Sequence, residues 1–577
     1  MALIHCPECG NRISNLAPLC VYCGYKVIDE NDSTAYEIRN NTLVKYHGDR
    51  EIISIPGNVE SISRGAFEDV KTLKKVIISN NMTSISDYAF IGCTSLETVE
   101  LSENITQIGL KAFAGCTSLK EINFPRKLTI LADRCFEDCS SLEKVIIPNC
   151  VESIGSGAFM NCTSLKKLTL ADSVVMICFE AFAGCTSLKK IRLGKNLVNV
   201  GPRAFADCES ITELVLPKTV ESISAEAFTG CKNLKSIILS EKLKTIGMLS
   251  FNGCTSLKEI VVPETVTSIG AEAFQGCSSL SKVELNFGLR EITSGAFKYC
   301  TSLEHITIPK SVRTFGSEVF TGCTNLKSIE IVEIKRWCVI DFKSTKINPE
   351  PYNNCLAFEG ELIRDLVIPE NVQYIHNAAF SNCENIKSVY INEGVTTIGA
   401  NAFSNCTQVE SIKLPNSLGI IEKMAFSYCS SLKEITIPNS VASISSEAFN
   451  GCKELKKVKI GDGLRAIETL VFANCSSLEE IILGKEITSI GKSAFLNCSS
   501  LKKIVMGKNI SSISAGAFEN CNSLESIFFE HTIDNIPRIL IRDNPEIDYA
   551  IIYHYSDEPD SLGHSWHYNE EGEIEIW

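Results

Sequence analysis

Four cysteines at the start of the chain stand in two pairs, Cys6-Pro-Glu-Cys9-Gly and Cys20-Val-Tyr-Cys23-Gly. Each pair has the spacing of a metal knuckle. The glycine after it lets the backbone turn tightly, so that amide N–H groups face the sulfurs. Four thiolates in a tetrahedral array suit one structural Zn²⁺ ion and leave no open position for a reaction. The expected metal ligands are therefore Cys6, Cys9, Cys20 and Cys23, with His5 a bystander. In an oxidising compartment the same four residues would close as a disulfide-linked knot instead.

Catalytic patterns are missing from the rest of the sequence. There is no glycine-rich phosphate loop, no H-E-x-x-H, and no spacing of Ser, His and Asp that singles out a triad. The eight histidines are scattered, with His554, His564 and His567 crowding the tail, and read as exposed or capping residues. No enzyme activity and no small-molecule substrate are expected.

The other cysteines obey a period. From Cys93 one recurs every 23 residues to Cys323, and after a break of 60 residues the series resumes at Cys383 and runs to Cys521. Three positions before each stands a phenylalanine. Phe67 adds one more unit, with Val70 in the cysteine position, so 19 phenylalanines are in register. Such a chain is an array of repeats.

One unit, Cys254 to Gly276, shows what must be positioned. Leu257, Ile260 and Val262 alternate with outward residues and predict a short strand, which Pro263 ends. Val266 and Ile269 predict a second extended segment, Gly270 a turn, and Ala273 with Phe274 a brief helical turn. No unit can bury these residues alone, but stacked units cover one another. The expected fold is a leucine-rich repeat solenoid: a long parallel β-sheet with short helical turns and a 23-residue period, preceded by a small zinc ribbon. The ladder cysteines should form a column of small buried side chains that needs no partner.

The repeat L-x-x-I-x-[IL]-P-x-x-V-x-x-I-x-x-x-A-F-x-x-C-x-S resembles the BspA-type leucine-rich repeats, over about 500 of the 577 residues. The irregular stretch Ile334 to Val372 and the tail HYSDEPDSLGHSWHYNEEGEIEIW are similar to segments of that family, and the four N-terminal cysteines resemble a small zinc ribbon. The resemblance implies binding rather than catalysis, often at microbial surfaces. The sequence divides into a ribbon (1–28), a polar linker (29–35), a starter or cap (36–66), a first array (67–331), an irregular insertion (332–372), a second array (373–531) and a C-terminal cap with a hairpin (532–577).

The opening MALIHCPECG lacks the succession of basic and apolar residues of a secretory leader. No apolar run approaches the length of a spanning helix. With 27 cysteines, these features predict a cytoplasmic protein, the alternative being a cell surface reached by a non-classical route. The net charge of −14 disfavours nucleic acid as a partner of the whole chain.

If function lies where the repeats vary, it lies in the outward strand positions, two and four residues after the strand leucine. In the first column three successive units give Lys144, Lys167 and Lys190, joined from the second column by Arg192. That second column continues with Val215, Ile238 and Val261, and near the C-terminus with Ile482, Val505 and Phe528. β-Branched residues favour strands whichever way they face, and a lysine run is often only a solvated edge. Read functionally, a basic patch beside an exposed apolar strip is an interface for an acidic, partly apolar protein partner. The sequence thus points to a non-catalytic protein-binding scaffold, alternatively a microbial surface adhesin, and less readily to a nucleic-acid-associated regulator acting through the ribbon.

Overall fold

The computed structural model describes residues 3–5, 10–14, 20–22, 35–343, 355–530, 551–556, 564–569 and 574–577. The chain forms two compact units. Unit 1 holds Met1–Gly288 with Tyr299–Thr301, and unit 2 holds Leu289–Lys298 with Ser302–Trp577. No helix among the described residues is long and apolar enough to cross a membrane.

Unit 1 is a stack of coils, and the coil at 254–276 shows how each is made. Ile260 is buried between exposed Glu259 and Val261 in the strand Glu259–Val261. Pro263 closes it by accepting the Val266 N–H at 3.1 Å. The second strand, Ser268–Ile269, pairs in parallel with Thr245–Ile246 of the coil before. On the third side Leu249, Phe251 and Gly253 donate their N–H groups to Ala271, Ala273 and Gln275 of the next coil at 2.8 Å each. All three sides are therefore hydrogen-bonded between coils, which is how so narrow a fold satisfies its buried backbone. The core is the coil interior, where Leu257, Ile260, Val262, Val266, Ile269, Ala273, Phe274 and Cys277 are all buried.

The expected helical turn at Ala273 and Phe274 is not there. The segment is a run of tight turns: Ala273 N–H to Gly270 O at 3.2 Å, Gln275 to Glu272 at 3.0 Å, and Cys277 to Phe274 at 3.2 Å. Glu272 at φ 55° and Gly276 at φ 71° are left-handed. A left-handed residue every few positions cannot continue a right-handed helix. The position before each ladder cysteine is always of this kind, and glycine fills it at Gly92, Gly115, Gly184, Gly230 and Gly253 with φ between 70° and 73°.

The phenylalanines form a continuous column in unit 1. Phe67 and Phe90 stack with ring centroids 4.6 Å apart. The spacing then holds at 5.1 to 5.6 Å as far as Phe274, with ring planes within 10° of parallel. The strand face is less continuous than the expected single sheet. Seven parallel strands run from Ile52–Ser54 to Lys190–Arg192, followed by two separate pairs, Glu213–Val215 with Ser236–Ile238 and Glu259–Val261 with Lys282–Glu284. The array begins with an antiparallel hairpin, Tyr36–Arg39 against Thr42–Tyr46. Before it, Leu3–His5 pairs antiparallel with Arg12–Ser14.

In unit 2 the insertion replaces a regular coil. A short helix, Ile334–Cys338, follows the strand Ser328–Ile331. Buried Trp337 donates its indole N–H to Ala379 O at 2.7 Å. In regular coils the alanine before a ladder phenylalanine accepts the backbone N–H of the preceding phenylalanine, so the indole stands in for a missing one. A second column of rings runs from Phe380 to Phe518 at 5.2 to 5.8 Å. Beyond it Ser526–Phe529 pairs in parallel with Ile551–Tyr555. The expected terminal hairpin is formed by Ser565–Tyr568 and Ile574–Ile576, and residues 570–573 between them lie outside the described residues.

Candidate binding face

The cationic column lies on the strand face of unit 1. Lys144, Lys167 and Lys190 are directly in register, Lys144 opposite Lys167 and Lys167 opposite Lys190. All three are exposed. None has a carboxylate of the described residues within 4.0 Å. Arg192 is on the third rung, 3.9 Å from Asp172, which also faces Lys195 at 3.7 Å.

The adjoining column, followed back along the same face, is built differently. Lys74 meets Glu51 at 2.7 Å, Lys120 meets Glu97 at 2.8 Å and Lys166 meets Glu143 at 3.0 Å. Opposite charges are paired there at these three places, although the column runs on to two stacked lysines, Lys166 and Lys189; one residue further on three like charges are stacked.

The aliphatic strip follows on the next three coils. Val215 is 63% exposed, Ile238 62% and Val261 47%. Val215 lies opposite Ile238 in the ladder. The first outward column beside the strip carries Glu213, Ser236 and Glu259, and both glutamates are exposed. Three stacked lysines, bounded on the rung before by exposed Glu121 opposite Lys144, thus lead to an apolar strip edged by Glu213 and Glu259.

The C-terminal part of the same column, expected to be open, is covered. Ile482 is half-buried, Val505 is 2% exposed and Phe528 3%. Trp566, fully buried, lies edge-on to Phe528 at 5.7 Å and donates its indole N–H to Phe529 O at 3.1 Å. Tyr553, Tyr555 and Ile574 complete the cover. The sequence signal for this was the aromatic density of the tail beside a column that grows from Ile482 to Phe528. That stretch is core, not interface.

The ladder cysteines do have partners, contrary to expectation. Except at Cys383, the first of the second array, each thiol points at the carbonyl of the phenylalanine 26 residues earlier: Cys116 to Phe90 at 3.3 Å, Cys139 to Phe113 at 3.2 Å, Cys254 to Phe228 at 3.3 Å. Burial pushes the Cys93 and Cys277 thiols up to about 12, so they are neither nucleophiles nor ready metal ligands. Of the four N-terminal cysteines only Cys20, buried, is among the described residues; Cys6, Cys9 and Cys23 are not. Gly10, after the first knuckle, has φ 73°, which fits the tight turn that a knuckle needs. Among the described residues no group of three or more His, Cys, Asp or Glu is placed to hold a metal.

A family model described as BspA type leucine rich repeat region matches the chain in six copies, over residues 37–166, 152–264, 244–349, 352–453 and 421–547. No curated protein matches it. Among solved structures, a leucine rich cell surface protein from Faecalibacterium prausnitzii A2-165 is 22% identical over 78% of this chain and 92% of that one, with a TM-score of 0.29. A leucine-rich repeat protein from Bacteroides ovatus ATCC 8483 is 21% identical over 86% and 97%, with a TM-score of 0.33. The pneumococcal vaccine antigen PcpA is 22% identical over 70% and 86%, with a TM-score of 0.35.

Proposed function

Because the chain belongs to the BspA-type leucine-rich repeat family, we propose that it is a non-catalytic binding array that holds a protein ligand on the strand face of unit 1. The observation that carries this reading is the stack of Lys144, Lys167 and Lys190. At a rung spacing of ~4.8 Å, each adjacent pair of unit charges repels by about 1 kcal/mol even in water. Like charges directly opposite on a sheet are destabilising. Elsewhere on this face lysines are paired with glutamates of the neighbouring coil, as Lys74 is with Glu51 and Lys120 with Glu97, so the array has the means to avoid the cost. An anionic ligand would offset it, and the exposed strip beside it supplies apolar area.

The test is a double variant, Lys167→Glu with Ile238→Asp. Both side chains are exposed, so the array should keep its circular dichroism. Proteins retained by immobilised wild-type chain should be lost from the variant. Retention of the same proteins by a natively folded variant would place the binding elsewhere.

Family membership favours the adhesin alternative over the cytoplasmic scaffold, and we take a microbial cell surface as the place of action. Protease added to intact cells should then cut the chain, and protection until lysis would return it to the cytoplasm. The tetrathiolate zinc site remains part of the proposal and requires that its four thiols stay reduced where the chain acts, since an oxidising surface would close them as disulfides. The positive φ of Gly10 and the burial of Cys20 support it, and it would brace the N-terminal segment without chemistry of its own. Purified chain should carry one zinc per molecule, and Cys20→Ser should lose it; equal zinc in both would end the idea.

A further inference from the structure

Building on that reading, we infer that the strand face of unit 1 takes one class of ligand: an extended peptide with a block of carboxylates at one end and a tryptophan, or another large aromatic, at the other. Lys144, Lys167 and Lys190 occupy three successive rungs, with Arg192 on the third, and Val215, Ile238 and Val261 occupy the next three. The ladder is broken between Lys190–Arg192 and Glu213–Val215, so first and last coil are at least ~24 Å apart, the reach of about seven or more extended residues. The ligand is therefore short and linear.

Its charge order follows from the segregation of the face. Carboxylates belong over the lysines. They are repelled at the other end, where exposed Glu213 and Glu259 flank the strip. A peptide with acids spread evenly along it would meet both ends wrongly.

Its apolar group follows from what the chain does with the same column in unit 2. There Ile482, Val505 and Phe528 are covered by Trp566, seated edge-on against a ring at 5.7 Å, with Lys503 5.1 Å from the same ring. That cover takes Val505 and Phe528 down to 2% and 3% exposure, while Val215 and Ile238 stand at 63% and 62%. An indole brings a large rigid area and one N–H donor. On unit 1 the flanking Glu213 and Glu259 would supply acceptors in place of Phe529 O.

The probe is a fluorescein-labelled peptide of about nine residues with aspartates grouped at one end and two tryptophans at the other, made in both chain directions. An isomer of the same composition with aspartate and tryptophan alternating serves as control. Polarisation with the full chain should show a grouped peptide binding about tenfold tighter than the alternating isomer in at least one direction. Lys167→Glu and Ile238→Asp, each alone, should weaken it, and tryptophan-to-alanine in the peptide should do the same. No preference over the alternating isomer, or a preference that survives both variants, overturns the proposal. So does sedimentation showing a dimer that Ile238→Asp dissociates, since the occupant would then be a second copy. If the peptides fail while the double variant still loses its captured proteins, the face stands and only the ligand class falls.

Discussion

The thiol of Cys277 donates to the carbonyl oxygen of Phe251, 26 residues earlier, at 3.2 Å. The same carbonyl accepts the backbone N–H of Cys254 at 3.1 Å. Every ladder cysteine but Cys383 thus ties the turn of its own coil to the phenylalanine of the coil before, inside the stack. Cys277→Ala removes a buried sulfur and a weak donor but leaves the carbonyl satisfied. The expected cost is about 1–2 kcal/mol, read as a lower denaturant midpoint. Cys277→Ser keeps a donor and should cost less than Cys277→Ala; the reverse order would mean that the sulfur serves by volume alone.

The same burial sets a pH dependence. Burial raises the folded-state values of Cys93, Cys277 and Cys406 from 9.0 to about 12. A thiol whose folded value is raised stays protonated in the fold while its unfolded counterpart ionises. Its contribution is fully present below pH 9 and is lost as pH rises from 9 towards 12. Each such cysteine costs up to ~1.4 kcal/mol per pH unit in that window, and the ladder repeats the effect. Unfolding monitored by circular dichroism should therefore become steep above pH 9, and replacing two ladder cysteines by alanine should make it shallower. An unchanged alkaline midpoint would contradict the linkage.

Much of this was legible in advance. The phenylalanine and cysteine columns, the Leu257–Ile260–Val262 strand and the stop at Pro263 follow from period and side-chain type. The corners did not, because Glu272 and Leu249 are good helix formers held at φ 55°. At Leu249 the backbone N–H is bonded to Ala271 of the neighbouring coil at 2.8 Å, a constraint that no local pattern reveals. The cover over Val505 was equally hidden, since its indole comes from Trp566, far along the chain. Lys144, Lys167 and Lys190 were legible because a column at fixed period needs no structure to align it.

Thiol reagents should sort the cysteines by depth. Cys150 is exposed and Cys178 half-exposed, while the ladder from Cys93 to Cys521 is buried. Mass mapping after brief treatment of native chain with an aromatic disulfide should find Cys150 modified first among the residues of the arrays, and Cys178 later. Ladder cysteines should react only on unfolding. Fast modification of Cys208 or Cys231 in native chain would show that the coils open far more readily than this packing allows.

Within the core the phenylalanine column should fail locally. Phe205 stacks on Phe182 at 5.4 Å and on Phe228 at 5.6 Å. Phe205→Ala should cost about 3–5 kcal/mol. In a stack where each coil contacts its neighbours, the loss should appear as faster amide exchange in the coils on either side, with the distant column from Phe426 to Phe472 unchanged. Equal acceleration throughout would mean that the array unfolds as one cooperative body.

The cover in unit 2 can be removed without touching a coil. Trp566→Ala deletes the indole that closes over Val505 and Phe528. Its loss should cost about 3–5 kcal/mol locally and bare an apolar patch, seen as stronger binding of a hydrophobic fluorescent dye. The peptide with grouped aspartates and tryptophans separates the two faces. Trp566→Ala opens a second aliphatic column without three stacked lysines beside it, since Lys457 and Lys503 there share Glu480 at 3.3 and 3.8 Å. The new patch should take the dye but add little affinity for the acidic peptide, because the lysines of unit 1 supply the charge half of the recognition. A large gain in peptide binding would mean that apolar area alone suffices.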